Sequence, residues 1–204
     1  MKLAALTVLS ESEIRDIHNA TLDILGGCGV KMRSPRLLAA LKAKGLPVDA
    51  ATGTARFPQA VIEDALARIP RQIEVFDREG KSAFVLGDGV PKIAAGHNAV
   101  FWVDSATGAT RPSCVEDVAR FARLCEQLGV IDMIGIPVMP QDVKMPRATL
   151  LHAVAATARN SRKPVYFSTD NAQVNRGCIE LLRAAFAGDL DSQVYGISQL
   201  SPTS

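Results

Sequence analysis

Apolar residues recur at helical spacing through the first seventy positions. "SESE" at 10–13 predicts a capping box, with Ser10 as N-cap and Glu13 three residues on. Behind it Ile14, Ile17, Thr21, Ile24 and Leu25 share one helical face, and Gly26, Gly27 and Gly29 stop the helix. "SPRLLAALKAKG" predicts a second helix, capped by Ser34, with Pro35 in its first turn and Gly45 past its end. "FPQAVIEDALARIP" predicts a third, with Val61, Ile62, Ala65, Leu66 and Ile69 inward and Pro70 as its stop. The spacing then shortens. "QIEVFD", "AFVLG", "KIAAG" and "AVFWVDSATGAT" read as short strands, the last turning back as a hairpin around Thr107-Gly108.

From residue 113 the pattern changes again. "SCVEDVARFARLCEQLG" predicts a helix capped by Ser113 and Glu116, with Val115, Val118, Ala119, Ala122 and Cys125 as its stripe. Strands at 130–139, 164–169 and 193–199 then alternate with helices at 146–159 and 172–187. A strand every ~30 to 35 residues with a helix between is the mark of βαβ units in a parallel sheet. These strands are apolar nearly throughout, which predicts burial on both faces. The expected fold class is therefore α/β. A helical extension (1–70) and a small β region with a hairpin (71–112) precede β/α units (113–204), either of a doubly wound sheet or of a (β/α)8 TIM-type barrel that three strands would leave incomplete.

In such sheets ligands bind beyond the carboxyl ends of the strands. The first exit is Met139-Pro140-Gln141-Asp142, the second Ser168-Thr169-Asp170-Asn171, and the third Ser198-Gln199 followed by Ser201. Polar side chains gather at one end of all three. Gln141, Asp142, Ser168 and Thr169 are thus candidate substrate contacts. His97 joins them, from a Gly-flanked loop beside a strand. Simpler roles compete: Asp142 as a turn former ahead of Pro146, and Asp170 or Asn171 as the cap of the next helix. His152, mid-helix, is expected to face outward, and His18 to pack beside the first apolar stripe. Trp102, Tyr166 and Phe167 could wall a cation, although core packing is the usual role of such rings.

Composition narrows the function classes. Apolar residues make up 48% and charged residues 22% of 204, the balance of a globular chain and not a disordered one. The net charge is +2, and the densest basic patch, "RNSRKP" at 159–164, is too short for a nucleic-acid stripe. Cys28, Cys114, Cys125 and Cys178 form no CxxC pair and the three histidines no HxxH. No metal site is expected, the thiols are expected to be buried and structural, and the setting is expected to be a reducing cytoplasm. No apolar run approaches a membrane span, and "MKLAALTVLS" lacks the cleavage site of a signal peptide. Lys163 precedes its strand, against a Schiff-base aldolase, and no GxGxxG or GxxxxGKS loop suggests a nucleotide.

The ordered stretches "LSESEIRDIHNATLDILGGCGVKM", "FPQAVIEDALARIP", "VFWVDSATGATRPSCVEDVARFARLCEQLGVID", "GIPVMPQDV" and "ARNSRKPVYFST" cover nearly the whole chain. Together they resemble the trimethylamine methyltransferase family of corrinoid-dependent enzymes. The resemblance implies a (β/α)8 barrel behind a helical extension. It implies methyl transfer from trimethylamine or a quaternary amine such as glycine betaine. The acceptor is the cobalt of a corrinoid (cobalamin) carried by a separate protein, so the chain itself is expected to bind no cofactor. Pyrrolysine, which separates the family's branches, belongs to the second half of the barrel, beyond Ser204. The matching "PVMPQDV" places Gln141 and Asp142 at the substrate cavity. Expected partners are the amine, the corrinoid protein, and a second copy or second barrel half covering open strand edges. A non-catalytic remnant that serves as an interaction module, and another TIM-barrel enzyme, are the alternatives.

Overall fold

A computed structural model describes residues 8–169 and 171–199. It comprises two compact units, one ending at Pro70 and the other starting at Arg71.

In the first unit Ser10 caps α1 (Glu11–Asp23) as the sequence predicts: its N–H donates to Glu13 Oε2 at 2.7 Å, and Glu13 N–H returns to Ser10 Oγ at 3.3 Å. One wider turn, Ile24–Cys28, ends the helix at Gly29. A small antiparallel sheet follows, β1 (Val30–Lys31) and β2 (Val48–Asp49) flanking β3 (Thr54–Ala55), with Ala55 fully buried. Helices α2 (Pro35–Ala43), capped by Ser34, and α3 (Gln59–Arg68) complete the unit. Three expectations fail here. Ile14, Ile17 and Ile24 are more than half exposed, and Leu22 is the buried residue of α1. Val61, Leu66 and Ile69 are exposed as well, and so is His18. Helical spacing fixes which residues share a face, but not whether anything covers it.

The second unit is layered. Strands β4 (Ile73–Phe76) and β5 (Ser82–Leu86) form an antiparallel ribbon. Behind it lies a four-stranded parallel sheet in the order β11-β10-β9-β6, made of β6 (Ala94–Ala95), β9 (Met133–Gly135), β10 (Val165–Ser168) and β11 (Gly196–Gln199). Between β6 and β9 the chain makes the hairpin β7 (Phe101–Val103) and β8 (Thr110–Pro112), then α4 (Val115–Gln127). Helices α5 (Thr149–Asn160) and α6 (Ala172–Ala185) are the next two crossovers. Along β10 the strand period sorts the residues. Val165 and Phe167 pack with Val118, Val154, Cys178 and Leu182 of the helices, whereas Tyr166 packs with Val75, Phe84 and Met133 on the ribbon side.

The sheet thus has four parallel strands where the sequence suggests three, because "KIAAG" pairs with β9 and not within the small β region. The run 130–139 is regular strand only at Met133–Gly135. Pro137 and Pro140 offer no N–H, and the chain continues as a single bridge from Val138 to Ala99. The cap of α4 is Cys114 with Asp117 and not Ser113 with Glu116. Ser113 Oγ is instead engaged with the Met139 carbonyl at 2.8 Å and the Val100 carbonyl at 3.3 Å. The turn Pro146–Ala148 is 3-10 and precedes α5. Cys125 and Cys178 are buried, as expected of structural thiols, but Cys28 is exposed and Cys114 partly so; all four are free. His152 faces outward. Phe167 is core, and Trp102 is partly buried.

Candidate functional site

The carboxyl ends of the four parallel strands meet in a cavity of about 500 Å³. His97 and Asn98 enter it from the exit of β6, Met139 from that of β9, Ser168 and Thr169 from β10, and Gln199 from β11. Pro146 and Arg147 from the 3-10 turn before α5, Leu150 from the start of α5, and Asn171 and Val174 from the start of α6 complete its wall. Ser168 lies here because it shares a strand face with Tyr166, away from the helices.

The loop after β6 is tightly held. Gly96 has φ +81°, and a Cβ there would lie 2.7 Å from Pro137 Cα. Asn98 follows with φ +54°; its N–H donates to the Ile136 carbonyl at 2.6 Å, and that of Ala99 to the Pro137 carbonyl at 3.0 Å. The His97 ring lies 5.5 Å from that of Tyr166, whose hydroxyl donates to Gln199 Oε1. Asn98 Nδ2 donates to Ser168 Oγ at 3.2 Å.

Of the residues expected from the sequence, His97, Ser168 and Thr169 are brought together at this cavity. Thr169 is committed to structure: its hydroxyl donates to the Asn171 carbonyl and accepts from the Asn171 N–H, each at 3.2 Å. Asn171 is the cap of α6, its Oδ1 accepting from Gln173 N–H at 2.8 Å and Val174 N–H at 3.2 Å. Gln141 and Asp142 are not part of the cavity wall. The Gln141 side chain donates to the Val100 carbonyl, and its N–H donates to the Ser113 carbonyl at 2.8 Å. Asp142 Oδ1 accepts from Val115 N–H at 3.0 Å, satisfying an otherwise open donor in the first turn of α4. Pro140-Gln141-Asp142 therefore straps the strand exit to the hairpin root and to α4. Asp170 and Ser201 lie outside the described residues.

The hairpin is pinned on its other side by Asp117, which is 1% exposed. Arg111 grips it through two bonds of 2.6 and 2.7 Å, and the Arg111 guanidinium lies 5.9 Å from the Trp102 ring. That guanidinium, with help from the Cys114 N–H, holds the Asp117 carboxyl down at about 2 and is itself driven above its ordinary range. Burial pushes the Tyr195 hydroxyl, stacked 5.1 Å from Phe186, up to about 12, and the Cys178 thiol up to about 11.

Asn98 and Arg147 are the polar wall residues that sequence reasoning missed. Asn98 follows the Gly that ends "KIAAG", and Asn is the side-chain-bearing residue most at home at positive φ. Arg147 had a fainter signal, a cation directly after the helix-starting Pro146. Among the described residues no group of three or more His, Cys, Asp and Glu could hold a metal ion, and no helix is long and apolar enough to cross a membrane.

Residues 1–199 match the model of the trimethylamine methyltransferase (MTTB) family. The chain is 27% identical over 184 residues to the trimethylamine methyltransferase MttB of Desulfitobacterium hafniense, covering 90% of this chain and 37% of that protein. It is 26% identical over 169 residues to MttB1 of Methanosarcina acetivorans, covering 78% and 32%. To MttB of Methanosarcina thermophila it is 24% identical over 195 residues, covering 90% and 39%. The chain thus spans between about a third and two fifths of the length of the curated relatives it matches.

Proposed function

This chain belongs to the trimethylamine methyltransferase family, and we propose that it supplies amine-binding elements of a methyltransferase that takes a methyl group from a methylated amine. The observation that carries this reading is the family match over residues 1–199. The cavity supports it in size: about 500 Å³ leaves room for a small methylated amine. The acceptor would be a corrinoid on a separate protein, meeting the cavity at its mouth. When present there, its cobalt supplies the nucleophile that accepts the methyl group.

The work left to this chain is binding and orientation. As the C–N bond of a quaternary amine breaks, the electron pair stays on nitrogen, which departs as a neutral amine. No general acid is needed. His97, tilted against Tyr166, offers a ring face at the wall, and Met139, Leu150 and Val174 offer apolar surface to the methyl groups. Arg147, at the same wall, suits an anionic end on the substrate, as in glycine betaine, better than a bare trimethylamine.

The four-stranded sheet reads as the opening arc of a (β/α)8 barrel. Among the described residues β6 pairs only with β9, which supports a further barrel segment or a second copy as partner. Four free cysteines suit a reducing cytoplasm. The test is titration of the chain with glycine betaine, trimethylamine and dimethylamine, followed by addition of a reduced corrinoid protein and spectroscopy of its cobalt. Saturable amine binding with shifted His97 ring resonances is expected. Failure of every methylated amine to bind would sink the reading.

A further inference from the structure

We propose that Asn98 is a positioning residue: it occupies a lone pair of Ser168 so that the Ser168 hydroxyl proton is presented to the cavity, and the ligand must meet it with a hydrogen-bond acceptor. The inference rests on the amine-binding reading above and narrows it.

Three observations converge. Asn98 is the one non-glycine residue at positive φ among the described residues, and two backbone bonds hold it there. Its Oδ1 is shielded from solvent and has no partner among the described residues. Its Nδ2 is spent on a single contact, Ser168 Oγ at 3.2 Å. A left-handed backbone and an orphaned acceptor both cost stability. Glycine would take this φ at least as freely and would leave no oxygen unpaired. The remaining gain is the bond to Ser168.

That bond has a direction. A hydroxyl carries one proton and two lone pairs. Since the Asn98 amide donates, the Ser168 proton is left for something else, and no acceptor takes it among the described residues. The neighbouring hydroxyls differ. Thr169 both donates to and accepts from Asn171, and Ser198 donates to Asn175 Oδ1 at 3.0 Å. Ser168 is thus a donor set into the cavity wall, on the same wall as Arg147. A carboxylate-bearing methylated amine meets it, whereas a tetraalkylammonium offers nothing to accept.

The test uses the full chain and two probes with the same cationic head, glycine betaine and tetramethylammonium, in calorimetric titrations beside thermal melts. Asn98→Gly removes the bond to Ser168. Asn98→Asp keeps the shape but accepts from Ser168 and turns its proton away. Both variants, and Ser168→Ala, are expected to bind glycine betaine about tenfold or more weakly, with tetramethylammonium unchanged. Asn98→Gly combined with Ser168→Ala is expected to be no worse than either alone. Asn98→Gly is also expected to melt at or above wild type. Equal weakening of both probes, unchanged betaine affinity, or a clearly lower melting temperature for Asn98→Gly overturns the proposal. If wild type binds neither probe, the amine-binding reading falls. The melt still decides whether residue 98 is held at a cost, and a lower melting temperature overturns the proposal on its own.

Discussion

Asp117→Asn tests how the hairpin is held. The wild-type carboxyl sits at about 2 in the fold against an ordinary 3.8, chiefly because Arg111 donates to both its oxygens. Each unit of that gap is worth about 1.4 kcal/mol, so the ionised carboxylate adds about 2 kcal/mol at neutral pH. Because the folded value is the lower one, this stability is fully present above the unfolded value near 4 and is lost as pH falls towards 2. By pH 3 about half of it remains. Asparagine has nearly the same shape but can accept from only one Arg111 N–H and brings no charge. The variant should therefore be about 2 kcal/mol less stable at pH 7, and the gap to wild type should shrink by about half at pH 3. The chain's single tryptophan, Trp102, lies 5.9 Å from the Arg111 guanidinium, so its fluorescence during urea unfolding reports on this hairpin directly. A loss below about 0.5 kcal/mol, or one that does not change between pH 7 and 3, would refute the reasoning.

The other consequences are smaller. Asp142→Ala should cost about 1 kcal/mol in urea melts through the lost Val115 N–H bond, and should leave amine affinity unchanged in titrations. Gly96→Ala should cost about 2 kcal/mol or more, because φ is +81° and the new Cβ would press on Pro137; a lowered melting temperature checks it. Val154→Ala, at a fully buried position beneath the sheet, should cost about 2 kcal/mol in urea melts. Ile17→Ser, on the exposed face of α1, should change stability by no more than about 0.5 kcal/mol.

Most elements were legible where a local signal has a local cause; the cap of α4 was not, because Ser113 Oγ is drawn to the Met139 and Val100 carbonyls and the box shifts by one residue to Cys114 and Asp117. Ser10 with Glu13, Ser34 before Pro35, and Thr107-Gly108 act within four residues, and the caps and the hairpin stand where these signals place them. The βαβ rhythm after residue 113 was legible for the same reason, since each crossover follows from its own apolar periods. Non-local pairings were not. "KIAAG" looks like a ribbon strand until its two paired residues are seen beside Met133 and Ile134, far along the chain. Burial of α1 was illegible too, because a stripe of isoleucines states a preference and not a partner.

At the candidate site a strand exit identifies a neighbourhood, but the side chain's first obligation is to nearby open backbone groups. Asp142 has the composition of a binding residue and the address of one, yet the unpaired N–H of Val115 stands 3.0 Å away, and a carboxylate at the start of a helix goes there first. Thr169 is held in the same way by Asn171. Asn98 inverts the logic. It could have closed its loop as glycine, and instead it holds a costly backbone angle and an unpaired oxygen in order to touch Ser168. Spent polar groups explain the fold, and polar groups left over after the fold is satisfied mark the site. On that criterion the amine site proposed here is centred on His97, Asn98, Arg147 and Ser168 of the cavity wall, one step around the sheet from the Pro-Gln-Asp segment that first suggests it.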